Sequence, residues 1–214
     1  EKGLFTLLTG SNGAERLCKE LIKFGMDDVK VIIGQDLGSN KERIYCGKPS
    51  ELQNIQFSEL CAAIVLNDSP DRSNPLGMND EDFIRGPAPM TKSEVRSLSI
   101  IKLKLQRDSI IYDIGAGTGS VSVEMARVAD EGRVYAIEKD IPATDLIECN
   151  KRKFGTPNIT VISGVAPMSF SGLPTPTHAF IGGSSGNLKS IVSRLLELNP
   201  DVRIVINAVT LETI

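Results

Sequence analysis

A glycine-rich loop near the middle of the chain restricts its possible folds more than any other feature. The loop, residues 113–119, has the sequence DIGAGTG and lies between an apolar strand predicted over 110–114 and a helix predicted over 121–129. Glycines allow the backbone to turn sharply and to approach a ligand closely. A cofactor-binding loop requires this setting between a strand and a helix. Three glycines at alternate positions therefore predict a binding loop and not a plain turn.

The spacing of these glycines distinguishes two classes of cofactor. Dinucleotide-binding loops have the pattern GxGxxG, whereas this loop has GxGxG and carries Ser120 where the last glycine of that pattern would stand. Asp113 precedes the glycines, where a carboxylate suits an ammonium better than a pyrophosphate. The pattern predicts S-adenosylmethionine (SAM), which carries an ammonium on its amino-acid end and a sulfonium at its centre.

A second acidic residue supports this interpretation. Glu138 ends the next predicted strand about 20 residues after the loop, where an acidic side chain can accept hydrogen bonds from both ribose hydroxyls. A carboxylate at the end of a strand is often simply solvated, but its position relative to the loop favours the cofactor role. Residues 163–167 end the following strand, where class I methyltransferases contact the adenine. That segment is a weak indication by itself.

The pattern around the loop predicts an α/β fold. Apolar strands are predicted over 110–114, 134–137, 159–162, 179–181 and 203–206, and helices over 121–129, 145–154 and 187–196. A further helix begins at Ser93, and Val95, Leu98, Ile101 and Leu105 are expected on its apolar face. Continuous apolar strands that alternate with amphipathic helices are typical of a parallel sheet covered on both faces. We therefore predict a Rossmann-like class I SAM-dependent methyltransferase fold.

Composition divides the chain into two domains. Residues 67–84 are rich in Pro, Ser, Asn and Asp and lack hydrophobic periodicity, which predicts a linker between domains at 1–66 and 85–214. In the first domain, strands predicted over 4–8, 29–33 and 62–66 and a helix near 14–22 indicate a small α/β domain of the βαβ type.

Other classes of protein are disfavoured. The net charge of −3 is not that of a strongly basic nucleic-acid binder, and the single histidine, His178, cannot form a His-rich zinc site. No metal is therefore expected. The four cysteines are scattered without a CxxC pair, which favours free thiols in a reducing compartment and hence a cytoplasmic location. No run of eighteen apolar residues is present to span a membrane.

Several segments together resemble a known family. They are residues 89–96, 113–124, 136–138, 164–167, 180–184 and 205–212. In this order they resemble the decarboxylating precorrin methyltransferases of cobalamin biosynthesis (CbiT type), and the first and fifth are more specific than the glycine loop. The resemblance implies SAM-dependent methylation of carbon 15 of a precorrin or cobalt-precorrin tetrapyrrole, with loss of the ring C acetate carboxyl.

A weaker likeness covers the first domain. Residues 8–10, 37–39 and 42–44 are similar to the C-terminal domain of CbiE-type methyltransferases, which methylate carbon 5 and are often fused ahead of the CbiT-type enzyme. The resemblance implies that the other CbiE-type domain and the last strands of the methyltransferase sheet are missing from this chain.

The resemblance also implies roles for individual residues. The expected cofactor-binding residues are Thr91, Asp113, Gly115, Ala116, Gly117, Thr118, Gly119, Glu138 and Ala166, and the expected substrate contacts are Lys92, Arg96, Arg85, Gly183, Ser184 and Asn207. The three cations would pair with carboxylates of the tetrapyrrole. No catalytic acid or base is assigned, because alignment accelerates methyl transfer and the conjugated macrocycle can accept the electrons of decarboxylation. One departure from the family is Thr177-His178, where an acidic residue is usual.

Two other functions stay open at this level, and a homo-oligomer is expected in either case. One is a class I methyltransferase for RNA or another small metabolite, although three tyrosines in the whole chain and a net charge of +1 over 91–214 (14 Lys and Arg against 13 Asp and Glu) do not suggest an RNA-binding face. The other is a non-catalytic module that binds a tetrapyrrole or a protein partner.

Overall fold

The computed structural model describes residues 2–9, 12–68 and 76–208. It divides the chain into two compact units, Glu1–Ser73 and Asn74–Ile214. Residues 10, 69–75 and 209–212, on which parts of the expected turn, linker and family resemblance fall, lie outside the described residues. In the described part of the chain, no helix combines the length and the apolar character needed to cross a membrane.

The first unit is a four-stranded antiparallel sheet with two helices. Its elements are β1 (Lys2–Thr9), α1 (Gly13–Lys23), β2 (Lys30–Gln35), β3 (Arg43–Gly47), α2 (Pro49–Leu52) and β4 (Leu60–Asn67), and the strand order is β1-β4-β2-β3. The expected βαβ arrangement is wrong in one respect, because β4 lies between β1 and β2 and is antiparallel to both. The sequence analysis missed β3, whose residues are mostly exposed and form no apolar run.

The second unit has the predicted parallel sheet. Its elements are α3 (Ser93–Leu103), β5 (Ile110–Ile114), α4 (Ser120–Val128), β6 (Arg133–Glu138), α5 (Ile141–Lys153), β7 (Ile159–Ser163), β8 (His178–Ile181), α6 (Leu188–Leu198) and β9 (Arg203–Ile206). The strand order is β7-β6-β5-β8-β9, and every neighbouring pair is parallel. Ligands of such sheets bind beyond the carboxyl ends of the strands where the order reverses, which here is β5.

Both faces of this sheet are covered, as the apolar strands predict. Alternate residues of one strand enter different cores: Ile111 packs in a core with α3, α4 and α5, whereas Tyr112 packs in a core with α6. Phe180 and Ile181 of β8 divide in the same way. The sheet is therefore a rigid platform for the loops at its carboxyl edge.

The predicted apolar face of α3 is wrong. Val95, Leu98 and Ile101 are about half exposed, whereas Arg96 and Leu103 are buried on the opposite face. The helix turns its arginine inward because buried carboxylate and carbonyl groups surround the guanidinium. A count of apolar residues alone therefore selects the wrong face.

The predicted linker is wrong over 76–84, because this stretch packs on the second unit. Phe83 is buried against Phe154, with ring centroids 4.8 Å apart. The backbone N–H of Ile84 donates to the Asn150 side chain at 2.8 Å, and the Asn150 amide donates back to the Ile84 carbonyl. Polar bonds to distant residues order the segment, so it needs no hydrophobic periodicity of its own.

Candidate functional site

A cavity of about 760 Å³ lies beyond the carboxyl ends of β5, β6, β8 and β9. It is lined by Pro89, Met90, Thr91, Lys92, Val95, Asp113, Gly115, Ala116, Gly117, Ser120, Val121, Glu138, Phe180, Gly182, Gly183, Ser185, Ile206, Asn207 and Ala208. A much smaller cavity shares Gly115, Glu138, Gly183 and Ser185 with it and is also lined by Gly164–Ala166 and Ser184. Both lie where the reversal of strand order predicts a ligand.

The glycine loop forms one wall of the cavity, and its geometry explains two of its glycines. Gly115 and Gly117 have φ angles of 71° and 56°, a region that favours glycine. A Cβ on Gly115 would lie 2.6 Å from the Gly183 carbonyl oxygen, and a Cβ on Gly117 would lie 2.8 Å from the Pro89 carbonyl oxygen. The loop therefore touches neighbouring backbone on both sides, and a side chain at either position would push the walls apart.

Glu138 joins the end of β6 to this loop. Its Oε2 accepts a hydrogen bond from the Gly117 N–H at 3.0 Å, and its Oε1 accepts bonds from the N–H groups of Lys139 and Asp140 at 2.8 and 3.0 Å. The side chain is 9% exposed and lines both cavities, so it is not a solvated strand end. A carboxylate has about four acceptor positions, which leaves capacity for a ligand hydroxyl.

Asp113 is fully buried and only half satisfied. Its Oδ2 accepts a short hydrogen bond from the Ser122 hydroxyl, whereas its Oδ1 has no hydrogen-bond partner among the described residues. Burial, and to a lesser degree the nearby charge of Glu138, raise the pKa of Asp113 to about 7, although the Ser122 bond opposes the shift. Because Asp113 lines the cavity, a cationic donor bound there would satisfy Oδ1 and favour the ionised carboxylate.

The structure brings most of the predicted site residues together. Thr91, Lys92, Asp113, Gly115, Ala116, Gly117, Glu138, Gly183 and Asn207 line the large cavity, and Ala166 and Ser184 line the small one. Thr118 and Gly119 lie behind the loop instead. The Thr118 carbonyl accepts a bond from Asn150 at 2.9 Å, and a Cβ on Gly119 would contact Ile147. These two residues support the loop from the side of α5.

Of the three cations expected to contact the substrate, only Lys92 lines the cavity. Its Nζ lies 3.2 Å from Asp80 Oδ2, and its side chain is 62% exposed. Burial alone would raise the pKa of Asp80, but hydrogen bonds and charge from Lys92 and Arg96 outweigh it and lower the pKa. Arg85 pairs with Glu81 at 3.8 Å and does not line the cavity.

The expectation that Arg96 contacts the substrate is wrong for this structure. The side chain is 0% exposed, and its Nε donates to Glu124 Oε1 at 2.6 Å. The guanidinium is enclosed because the residues before α3 fold over it. Glu124 escaped the sequence analysis, although a lone carboxylate between Val123 and Met125 in an apolar helix was an available signal.

The apolar part of the lining was also missed. Pro89, Met90, Val95, Phe180, Ile206 and Ala208 contribute to the wall. In the sequence such residues cannot be told from core residues of the same strands and helices, because hydrophobic pattern reports burial and not what a residue is buried against.

The parallel sheet, the GxGxG loop after its central strand and the buried acidic residue at the end of the next strand define a class I SAM-dependent methyltransferase. A family model described as "Precorrin methyltransferase domain" matches residues 82–214. The chain belongs to this family, so the resemblance to decarboxylating precorrin methyltransferases of the CbiT type is confirmed.

Individual relatives agree with this assignment. The chain is 41% identical over 141 residues to a probable cobalt-precorrin-6B C(15)-methyltransferase (decarboxylating) of Pyrobaculum calidifontis, covering 64% of this chain and 72% of that protein. It is 40% identical over 139 residues to the Salmonella typhimurium enzyme of that name, covering 64% and 71%. The crystal structure of a precorrin-6Y C5,15-methyltransferase from Geobacter metallireducens matches with a TM-score of 0.62 and 38% identity, over 65% of this chain and 75% of the other.

Proposed function

We propose that this protein transfers the methyl group of SAM to carbon 15 of a precorrin or cobalt-precorrin tetrapyrrole and removes the carboxyl of the ring C acetate. The observation that carries the proposal is the 40–41% identity to proteins named for this reaction. The alignments cover 71–72% of the length of those proteins. The reaction belongs to cobalamin biosynthesis.

The residues of the glycine-loop wall fit SAM. The unpaired Asp113 Oδ1 suits the ammonium, Glu138 suits a ribose hydroxyl, and Ala166 in the small cavity suits the adenine edge. Thr91 adds to the lining from the segment before α3. Bound SAM supplies an electrophilic methyl group on its sulfonium, so the protein needs to hold and align the reactants more than to exchange protons.

Other residues of the cavity lining suit the tetrapyrrole. Lys92 can exchange Asp80 for a substrate carboxylate at little cost, since both the side chain and its ion pair are partly solvated. The remaining predicted contacts, Gly183, Ser184 and Asn207, follow β8 and β9 at the same edge of the sheet. Cavity size is compatible with a bound cofactor, since ligand sites commonly measure about 300–1,000 Å³.

Methyl-labelled SAM with two substrate preparations tests the proposal. The protein is incubated with cobalt-precorrin-6B and, separately, with the metal-free macrocycle, and both transferred label and released carbon dioxide are measured. We expect label and carbon dioxide in equal amounts with at least one macrocycle. Failure of both, or label transferred to RNA instead, would contradict the proposal. The ratio of rates identifies which metal state is the substrate.

For the first unit we propose a relation to the C-terminal domain of CbiE-type enzymes. Residues 1–66 alone should not methylate carbon 5, because the site of that family lies between two domains and this chain resembles only the second. A carbon-5 methylation assay on the whole chain, which contains these residues, checks this, and turnover there would refute the interpretation that the unit corresponds to only one of the two domains. Homo-oligomerisation and a cytoplasmic location also remain predictions.

A further inference from the structure

A buried arginine links the two ends of one segment next to the cavity. We call residues 76–92 the strap. Arg96 donates to the Met78 carbonyl at 2.6 Å near the start of the strap and to the Thr91 carbonyl at 2.7 Å near its end. It also donates to Asp80 Oδ1 at 3.2 Å. A single guanidinium thus fixes three points of the strap.

Glu124 completes the arrangement from α4. Its Oε1 accepts the Arg96 Nε bond and a bond from the Met78 N–H at 3.2 Å, and its Oε2 accepts from the Gly77 N–H at 3.1 Å. Both side chains of the pair are 0% exposed. Because α4 begins directly after the glycine loop, the pair ties the strap to the element that follows the loop.

The free-energy cost of removing both charges from water indicates that the Arg96–Glu124 pair does more than stabilise the fold. Two fully desolvated charges are often no more stabilising than apolar residues of the same volume. What an apolar pair cannot do is hold particular carbonyl and N–H groups in place, since only a fork of donors binds several acceptors at once. One of the groups held here, the Thr91 carbonyl, belongs to the stretch Pro89–Lys92, which lines the cavity.

We propose that Arg96 and Glu124 are positioning residues that set the affinity for SAM by holding the strap against the glycine loop. The contact through which they act is the Pro89 carbonyl, which occupies the space beside Gly117. This inference rests on SAM being the cofactor of the proposed function. Neither residue lines the cavity, so any effect on SAM has to pass through the two elements that the pair connects, the strap and α4.

The rest of the strap has anchors that do not depend on this pair. Phe83 is buried in the core, and Ile84 exchanges two hydrogen bonds with Asn150. Loss of the fork should therefore free the ends of the strap while its middle stays attached. A variant without the fork can therefore change the position of Pro89–Lys92 in the cavity wall while the protein stays folded.

The test compares Arg96→Lys with Arg107→Lys in the full chain. Arg107 forms an exposed ion pair with Asp130, so its variant is a matched control for the loss of an arginine fork. Kd for SAM is measured by calorimetry on folded protein, and Tm is measured separately. We expect R96K to raise Kd by about tenfold or more and R107K to leave it within about twofold. In turnover, R96K should raise KM for SAM while kcat at saturating SAM stays nearly unchanged.

Two results would overturn the inference. One is an R96K protein with a lowered Tm and an unchanged Kd, which would make the pair purely structural. If R96K does not fold, Glu124→Gln decides instead, because it keeps the shape of the side chain and removes its charge. E124Q is expected to raise Kd as well, and an unchanged Kd would be the second contradicting result. If the wild-type protein itself does not bind SAM, that result refutes the proposed cofactor. It is distinguishable from the two results above, which refute the role of the pair.

Discussion

Two segments of different construction meet in the wall of the cavity: the glycine loop, residues 113–119, and the strap, residues 76–92, whose last four residues line the cavity. The loop takes its shape from its own glycines, two of which have positive φ angles at close backbone contacts. The strap takes its shape from side chains elsewhere in the chain, chiefly Arg96, Glu124 and Asn150.

The two walls therefore differ in what disturbs them. Substitution within the loop acts directly, through backbone strain and close contact. Disturbance of the strap is expected from substitutions up to about 66 residues away in sequence, since Ile84 and Asn150 are that far apart. The walls meet at Gly117 and Pro89, so a substitution of Gly117 should displace both the loop and the strap.

The largest effect is expected for Gly117→Val. A valine at this position would have to adopt a φ of 56°, which strains its backbone. Its Cβ would also collide with the Pro89 carbonyl, so the loop, the strap or both must move. We expect SAM binding to weaken by at least about 100-fold, measured by calorimetry, and Tm to fall. The glycine pattern by itself predicts that the side chain occupies the ligand's space and leaves the fold largely intact, with backbone strain added if φ is positive.

Gly172→Val is the matched control. Gly172 has a φ of 76°, but a Cβ there meets nothing within 4 Å. This variant bears the backbone strain without the collision, and its Kd for SAM should equal that of wild type. Normal SAM binding by G117V would mean that the loop is only a structural turn.

The second effect concerns Glu138→Ala. A hydrogen bond from a ribose hydroxyl to a carboxylate contributes about 1.5–3 kcal/mol, so Kd for SAM should rise by roughly 10–150-fold. A partly solvated carboxylate at a strand end, which is what the sequence pattern predicts for Glu138, would leave the stability without ligand almost unchanged. Three backbone N–H groups lose their acceptor in this variant, and we therefore expect the free energy of unfolding to fall by about 1–3 kcal/mol.

Comparison with Glu197→Ala controls for the loss of a carboxylate. Glu197 is exposed and forms an ion pair with Arg194, three residues earlier on α6, so its removal should change neither Kd nor stability by much. Denaturant titration and calorimetry on both variants separate the two roles of Glu138. Wild-type affinity in E138A would place the ribose contact elsewhere.

How far the sequence predicts this site differs between the walls for a physical reason. The parallel sheet, the loop, Asp113 and Glu138 follow from local patterns, because strand periodicity and glycine spacing act over a few residues. The strap was predicted to be a linker and Arg96 a substrate contact, because the bonds that bury them come from α4 and α5. Charge and composition do not reveal that a cation will be enclosed when its partners are distant in sequence.

The smallest effect, and the one that tests the loop wall alone, is the pH dependence caused by Asp113. Its pKa in the folded protein, about 7, lies above the ordinary value of 3.8, so the protonated form stabilises the fold. That stabilisation is complete below about pH 4 and is lost as the pH rises through about 7. A bound ammonium instead favours the ionised form of Asp113. The affinity for SAM should therefore increase as the pH is raised toward 7, by up to about tenfold for each pH unit.

Calorimetry between pH 5.5 and 7.5 in two buffers of different ionisation enthalpy counts the proton released on binding. This range stays below the titration of an α-amino group, at about 7.7–8.0. Asp113→Asn should remove both the slope and the released proton. Ser122→Ala should instead move the slope to higher pH, because the Ser122 hydrogen bond lowers the pKa of Asp113 and its loss leaves burial unopposed. A wild-type affinity independent of pH, or an equal slope in D113N, would show that the ammonium is held by another group.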